Sequence, residues 1–362
     1  MKKICFLSGD ITRSGGTEKV ACQIMNGLVT RYNISVISLT HSNEKMFYSL
    51  NSEIKRVALF QSNPNGIKQY FSIVNRIRKY LKNNKIDLLI DIDTILDMFS
   101  VVAVHGTRTK LVAWEHFNFL ETMENKLRVP IRKHMTKYAD CVVTLTKEDQ
   151  KTYSDYFCEK LRVEQIYNPV EIIETKGEYD LNSKTIISVG RLARQKGFDY
   201  LLQVAEIVFK KHPDWGWIIL GEGDERETLE KTIEEKNLHQ VKLIGSVNNV
   251  DEYLRKSSMF VMTSRYEGFP LVLIEAKANK LPVVSFTCKT GPAELVQDSV
   301  NGYLINCYDI ESMADRICEL IENPEKRELF SSQSQDMLSV LEYQSIIGQW
   351  IKIIESIGGR KE

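Results

Sequence analysis

Nowhere in this chain do apolar residues run together for the roughly 20 positions that a helix needs to cross a bilayer, so no membrane span is expected. Its seven cysteines (Cys5, Cys22, Cys141, Cys158, Cys288, Cys307 and Cys318) never form C-x-x-C and have no histidines at companion spacing. That scatter argues against a zinc site or a disulfide framework and suits the reducing cytosol. The dinucleotide fingerprint G-x-G-x-x-G is missing, as is the Gly-Lys-Ser/Thr of a Walker A loop, which disfavours a dehydrogenase and a P-loop nucleotidase. No aromatic-interleaved basic groove marks a nucleic-acid binder. The start, MKKICFLSGD, is basic, but its apolar run ICFL is too short for a signal peptide and reads as a first strand.

What is present is an ordinary globular composition, 43% hydrophobic and 27% charged, in 362 residues, a length that suits two domains. The net charge is zero, yet the halves differ. Residues 1–165 hold 25 Lys and Arg against 17 Asp and Glu, net +8, whereas residues 166–362 hold 23 against 31, net −8. Such asymmetry points to an acidic partner for the first half. The cations gather at 67–85, with Lys68, Arg76, Arg78, Lys79, Lys82 and Lys85, and at 126–138. In 67–85, Ile67, Tyr70, Phe71, Val74, Ile77 and Leu81 recur at helical spacing. Two readings stay open: a helix that packs this stripe on a sheet and solvates its cations, or a peripheral contact with anionic lipid through 67–85 and 126–138.

Short apolar runs alternate with helical patterns throughout. KICFLSG, ISVISLT, IDLLIDI, LVAWEH and CVVTLT punctuate the first half, and TIISVGR, WGWIILG, VKLIGSV, MFVMTS and PVVSFT the second. Repeated strand-helix units imply an α/β fold of two doubly wound, Rossmann-like parallel sheets with a cleft between them. A polar segment after Pro169 places the division near 169–183, giving domains 1–169 and 170–340. The tail 341–362 reads as an amphipathic helix, about 340–356, ending at the pair Gly358-Gly359.

Ligands in such folds sit at the carboxyl ends of strands, and several stretches fall there. In EGFPLVLIE, Glu267 reads as a loop residue and Glu275 as lying about one turn into a helix. A helix start after a strand attracts phosphate, and carboxylates on either side of it accept hydrogen bonds from sugar hydroxyls. Alternatively, both are solvated charges favoured by the helix dipole. SVGRLARQKGFDYL offers Arg191 and Lys196 between Gly190 and Gly197, two cations suited to a diphosphate or simply to solvent. Gly15-Gly16 in GDITRSGGTEKV brings amides close to a phosphate or forms a plain turn. Gly221-x-Gly223 has Arg226 where a third dinucleotide glycine belongs, and reads chiefly as a tight turn. His116, in AWEHFNF, lies among aromatics and is equally a core residue. Asp91-Ile92-Asp93 has the form of a metal-binding D-x-D but lacks a polar loop around it.

Taken together, Gly15-Gly16, the EH pair, SVGRLARQKGFDYL, LIGSVNNVDEYL and EGFPLVLIEAKANKLPVVS resemble the family 4 retaining glycosyltransferases of GT-B fold, over nearly the whole chain. The resemblance implies an N-terminal acceptor domain, a C-terminal nucleotide-sugar domain and a last helix that crosses back to the first domain. It implies donor contacts from Gly15, Gly16, Gly190, Arg191, Lys196, Gly221, Val247, Glu267, Gly268, Phe269, Pro270, Leu271 and Glu275. Among these, Glu275 would hold the ribose, Glu267 the donor sugar, and Arg191 and Lys196 the leaving diphosphate. His116 would lie beside the reacting sugar. A retaining, metal-independent hexosyl transfer follows, with no cofactor beyond the nucleotide-sugar donor, UDP-linked on family frequency. The implied acceptor is a lipid-linked saccharide on undecaprenyl diphosphate, in surface-polysaccharide assembly at the inner face of the cell membrane. A GT-B-like sugar-nucleotide epimerase and a non-catalytic nucleotide-sugar-binding subunit are the competing readings.

Overall fold

The computed structural model describes residues 1–122, 125–158, 160–169, 179–335 and 338–358. The chain forms two compact units, Met1–Pro169 with Leu341–Glu362, and Val170–Val340. Most of the polar connector read at 169–183 lies outside the described residues, as does Gly359 of the terminal glycine pair.

The first unit is built on β1 (Lys3–Ser8), β2 (Asn33–Ser38), β3 (Lys55–Ala58), β4 (Leu88–Ile92), β5 (Lys110–Trp114), β6 (Cys141–Thr144) and β7 (Val163–Gln165). They pair in parallel in the order β3-β2-β1-β4-β5-β6-β7. The strands β4 and β6 are buried along their whole length, which is why they read as largely apolar runs, interrupted only by Asp91 and Thr144. β3 and β7 occupy the edges and are partly exposed, so KRVA and VEQ carry no such run and were not expected.

The second unit holds β8 (Thr185–Val189), β9 (Gly216–Leu220), β10 (Val241–Gly245), β11 (Met259–Met262), β12 (Val283–Phe286) and β13 (Gly302–Ile305), parallel in the order β10-β9-β8-β11-β12-β13. Its core joins Trp217, Ile219 and Val261 of the sheet to Leu201, Ala205 and Val208 of the helix Phe198–Lys211.

The last helix, Tyr343–Gly358, belongs to the first unit. It buries Ile346, Ile347, Trp350, Ile353 and Ile354. The Trp350 ring meets Trp114 at 4.7 Å, and Lys2 Nζ donates to the Ile354 carbonyl at 2.6 Å. A Cβ on Gly27, in the helix Gly16–Leu28, would sit 2.3 Å from Ile347 Cδ1, so these two helices approach closely only because that residue is glycine.

The basic stretch 67–85 differs in detail from expectation. Its helix spans Tyr70–Asn84 and buries Ile73, Val74, Ile77 and Leu81, while Ile67 and Phe71 stay 76% and 78% exposed. Two of its cations serve the fold: Arg76 Nη1 donates to the Leu59 carbonyl at 2.6 Å, and Arg78 Nε to that of Ala103 at 3.1 Å. Lys79, Lys82 and Lys85 remain exposed.

Candidate active site

In the second unit the sheet order reverses between β8 and β11, the position where doubly wound sheets open a crevice. The loops leaving those two strands carry the expected residues. β8 runs out through Gly190 and Arg191 to the turn Arg194–Lys196, and β11 through Thr263 and Ser264 to Glu267 and the helix Leu271–Ala278.

These loops meet in one ion pair. Lys196 Nζ lies 2.6 Å from Glu267 Oε1, and Ser264 Oγ donates to the same oxygen at 2.6 Å. The side chains keep 19% and 7% exposure, so the pair is shielded without being sealed. Lys196, expected to serve the diphosphate, and Glu267, expected to serve the sugar, are thus joined directly. Thr290 Oγ1 holds the Glu267 carbonyl at 2.8 Å.

Arg265 ties the two loops together. Its amide donates to the Gln195 carbonyl at 2.8 Å and its Nη1 to the Arg194 carbonyl at 2.6 Å. Both guanidinium termini reach Asp199, at 2.8 and 2.6 Å, and the guanidinium lies over the Tyr200 ring at 4.3 Å. Asp199 therefore neutralises Arg265 and not the cations before it in sequence.

Glycines allow the close approach. Gly197 has φ 64°, and a Cβ there would fall 2.1 Å from the Thr263 carbonyl oxygen. Gly221 has φ 138° and would press a Cβ to 2.0 Å from the Gly190 carbonyl oxygen. The Gly221-x-Gly223 turn therefore braces the Arg191 loop, as its reading as a tight turn anticipated.

Pro270 caps the helix Leu271–Ala278 with no side-chain hydrogen bond, and no acid stands in the first turn, which leaves its amide end open to an anion. Gly268 and Phe269 are buried, while Leu271, Val247 and Glu275 are half-buried, Glu275 in the helix's second turn. Arg191 is exposed, and its side chain makes no hydrogen bond or ion pair among the described residues, while its carbonyl accepts from the Ala193 amide at 2.7 Å.

In the first unit, Gly15 is the N-cap of the helix Gly16–Leu28, and the Glu18 carboxylate folds back so closely that a Cβ on Gly15 would meet its Oε2 at 2.1 Å. His116 follows β5, its ring 4.4 Å from that of Trp114 and its Nε2 without a partner among the described residues. Burial pushes its pKa down to about 4 against the opposing pull of Glu115, so the imidazole is neutral at physiological pH.

Glu115, the other half of the EH pair, is wholly buried. Burial alone would raise its pKa, but Arg132, at 2.5 Å through Nε and 3.0 Å through Nη2, holds it below the ordinary value. Tyr153 and Thr94 hydroxyls donate to it at 2.6 and 2.9 Å. Arg132 of the basic stretch 126–138 is consequently internal and Arg128 is half-buried, leaving Lys126 and Lys137 as its exposed lysines.

The Asp91-Ile92-Asp93 pattern divides between two partners. Asp93 pairs with Arg128 at 2.8 Å through both oxygens, whereas Asp91 accepts from Ser100 and lies against Asp97 in the core. Burial pushes Asp91 up to about 7, and burial together with the Asp91 charge pushes Asp97 well above the usual range. The folded state therefore keeps a proton that the unfolded chain releases near pH ~3.9. Stabilisation from that proton is complete below this pH and is lost as pH rises towards about 7. Asp97→Asn is expected to flatten this fall, measured as urea stability at about pH 4.5 and about pH 7.5. Equal pH slopes in variant and wild type would remove the pair as its cause.

A glycosyltransferase of Haemophilus influenzae, itself uncharacterized, is 34% identical over 356 residues, 98% of this chain and 100% of that one. The chain belongs to glycosyltransferase family 4. The family described as Glycosyltransferase Family 4 matches residues 14–173 of the enzyme, and that described as Glycosyl transferases group 1 matches residues 170–337. An amylovoran biosynthesis glycosyltransferase of Erwinia amylovora is 28% identical over 98% of the glycosyltransferase and 100% of its own length. An alpha-1,4-N-acetyl-D-galactosaminyltransferase of Campylobacter jejuni, named for a PP-undecaprenol-linked saccharide, is 26% identical over 99% of both chains. Among solved structures, HepE of Anabaena in complex with UDP superposes with a TM-score of 0.79 at 19% identity, covering 98% and 100% of the two chains. The fold is GT-B and the enzyme is a glycosyltransferase whose homologues include enzymes of bacterial polysaccharide biosynthesis.

Sequence reasoning about this glycosyltransferase missed Ser264, Thr290 and Arg265. Only Arg265 left a trace, as a cation two residues before Glu267, and its partner Asp199 lies 66 residues away. Among the described residues no helix is long and apolar enough to cross a membrane.

Proposed function

We propose that this glycosyltransferase moves a hexose or N-acetylhexosamine, with retention at the anomeric carbon, from a UDP-linked donor to an undecaprenyl-diphosphate-linked saccharide in the assembly of O-antigen, capsule or exopolysaccharide. The observation that carries this reading is the Lys196–Glu267 pair, braced by Ser264 where the second sheet reverses order, beside an open helix start. The UDP complex of HepE and the lipid-linked substrate in the name of the Campylobacter relative support the choice of donor and acceptor.

In this mechanism a donor diphosphate competes with Glu267 for Lys196 and recruits Arg191, and together the two cations stabilise the departing charge. Glu267, released from full neutralisation, accepts from donor-sugar hydroxyls, and Glu275 accepts from the ribose. Amides near Phe269 and Leu271 face the diphosphate; Pro270 has none to give. Neutral His116 offers a hydrogen bond to the reacting sugar. A donor phosphate oxygen takes the acceptor proton as the new bond forms on the face from which the diphosphate leaves, so no protein carboxylate attacks. The cationic duty of a divalent metal falls to Arg191 and Lys196, so the reaction proceeds without one. Trapping a covalent glycosyl-enzyme would overturn this route.

Thermal unfolding against UDP, GDP, ADP and their sugar conjugates, with and without EDTA, tests the reading. Ligand at about 100 times its dissociation constant adds roughly 2.7 kcal/mol, a shift of a few degrees. UDP or a UDP-sugar is expected to give that shift with EDTA present, and Arg191→Ala to lose it. No shift with any nucleotide would sink the proposal.

The acceptor places the enzyme on the cytoplasmic face of the membrane, where Lys79, Lys82 and Lys85 meet anionic lipid and the exposed Ile67 and Phe71 add apolar contact. Changing the three lysines to Glu is expected to abolish sedimentation with anionic liposomes. Unchanged sedimentation would remove the membrane contact.

A further inference from the structure

The first unit has its own reversal of strand order, between β1 and β4, and a strained carboxylate stands there. Asp93, the residue after β4, has φ 94° and ψ 122°. Glycine adopts such a backbone freely; a residue with a Cβ is held in it only by its surroundings. A glycine would make the same turn without strain, so the carboxylate itself is what the position retains.

The surroundings suit a ligand better than a structural brace. Asp93 Oδ1 accepts from the Ile95 amide at 3.1 Å, and both oxygens accept from Arg128 at 2.8 Å. Unlike the sealed Glu115–Arg132 pair, at 0% exposure on both sides, Asp93 and Arg128 keep 15% and 12%. Arg128 lies over the Phe117 ring at 5.1 Å, and its Nε is buried without a partner among the described residues. The Asp93 amide donates to the Trp114 carbonyl at 3.1 Å, which sets the carboxylate beside the strand end that carries His116, 5% exposed, with its unpartnered Nε2. The other carboxylate following β1, Asp10, is already taken. One oxygen accepts from the Thr12 amide and hydroxyl at 3.0 and 2.6 Å, the other from the Ser42 amide at 2.9 Å and its hydroxyl.

A carboxylate and a guanidinium fixed side by side, next to an aromatic face and an unused imidazole nitrogen, match the vicinal hydroxyls and apolar C–H face of a sugar ring. A phosphate fits poorly, because Asp93 has already neutralised Arg128. We propose that Asp93 and Arg128 form a pyranose subsite for the accepting saccharide, with Phe117 against the ring. The assignment rests on the glycosyl-transfer reading above. It also accounts for the strain, which fixes the carboxylate at the strand end ahead of binding.

Saturation-transfer NMR on the whole chain, in excess UDP, with the methyl glycosides of glucose, galactose and N-acetylglucosamine, tests the subsite. Wild type is expected to transfer saturation to at least one glycoside, and Asp93→Gly and Arg128→Gln to bind it about tenfold more weakly. Asp93→Gly alone would leave Arg128 unpaired, so stability is read in Asp93→Gly combined with Arg128→Gln, where no stranded charge remains and the unfolding temperature is expected to hold while sugar binding falls. A purely structural Asp93 would instead lower the unfolding temperature and the UDP-induced shift together, and that result overturns the proposal. So does a wild type that contacts none of the three glycosides, or undiminished contact in both variants. The same samples report the UDP shift: a shift without glycoside contact removes the subsite alone, whereas no shift with any nucleotide removes the transferase reading.

Discussion

Lys196→Ala is expected to slow sugar transfer by about two to three orders of magnitude, the range seen when one preorganised donor to a developing oxyanion is lost. Two effects combine. The leaving diphosphate loses a cation, and Glu267, with 7% of its side chain exposed, keeps the Ser264 hydroxyl as its side-chain hydrogen-bond donor but has no counter-ion among the described residues. The second effect is separable, because Glu267→Gln in the same background removes the stranded charge without restoring the cation. Stability should then recover while transfer stays slow, as followed by thermal unfolding alongside release of radiolabelled sugar. If donor turnover recovered with stability, Lys196 would be only the counter-ion of Glu267, and the leaving group would depend on Arg191 alone.

The largest expected loss of stability lies in the other unit. Arg132→Met leaves Glu115 charged, fully buried and short of its principal partner, which costs about 3–5 kcal/mol. At roughly 2–4 °C per kcal/mol for a unit of this size, unfolding should move down by about 10 °C. Removing both charges with Arg132→Met and Glu115→Leu is expected to cost clearly less, since no uncompensated carboxylate remains. Calorimetry on the two variants decides the point: a double variant no more stable than the single one would mean that packing around Arg132, and not its charge, holds this part of the fold.

Most of the strands that were legible in the sequence are buried on both faces, with VKLIG at the edge of the second sheet the exception. LLIDI and CVVT announce themselves because every position meets a helix or a neighbouring strand. KRVA and VEQ, at the sheet edges, are partly solvated and carry no apolar signature. GYLI forms the far edge of the second sheet and was overlooked beside stronger runs. The candidate site was legible in its residue types, because a helix start after a strand and a pair of glycines are local chemistry. Its wiring was not. Arg128 and Arg132 read only as members of a basic stretch available to an acidic partner, and only the folded unit shows them committed to Asp93 and Glu115.

Periodicity, turn residues and helix stops act over a few positions along the chain, and that was sufficient to specify two doubly wound units, the strand ends at which ligands gather, and a last helix with one apolar face. Which charge meets which is settled across space. Lys196 and Glu267 stand 71 residues apart and Arg132 and Glu115 17 apart, and each pair forms because the fold brings separate segments together, two strand-end loops in the first case and a strand end and a helix in the second. Coulomb and hydrogen-bond energies fall with distance through the protein, not with separation in sequence, and they grow as water is excluded. The same cation is therefore a solvated charge, a structural brace or a ligand for a diphosphate according to the neighbours that folding supplies.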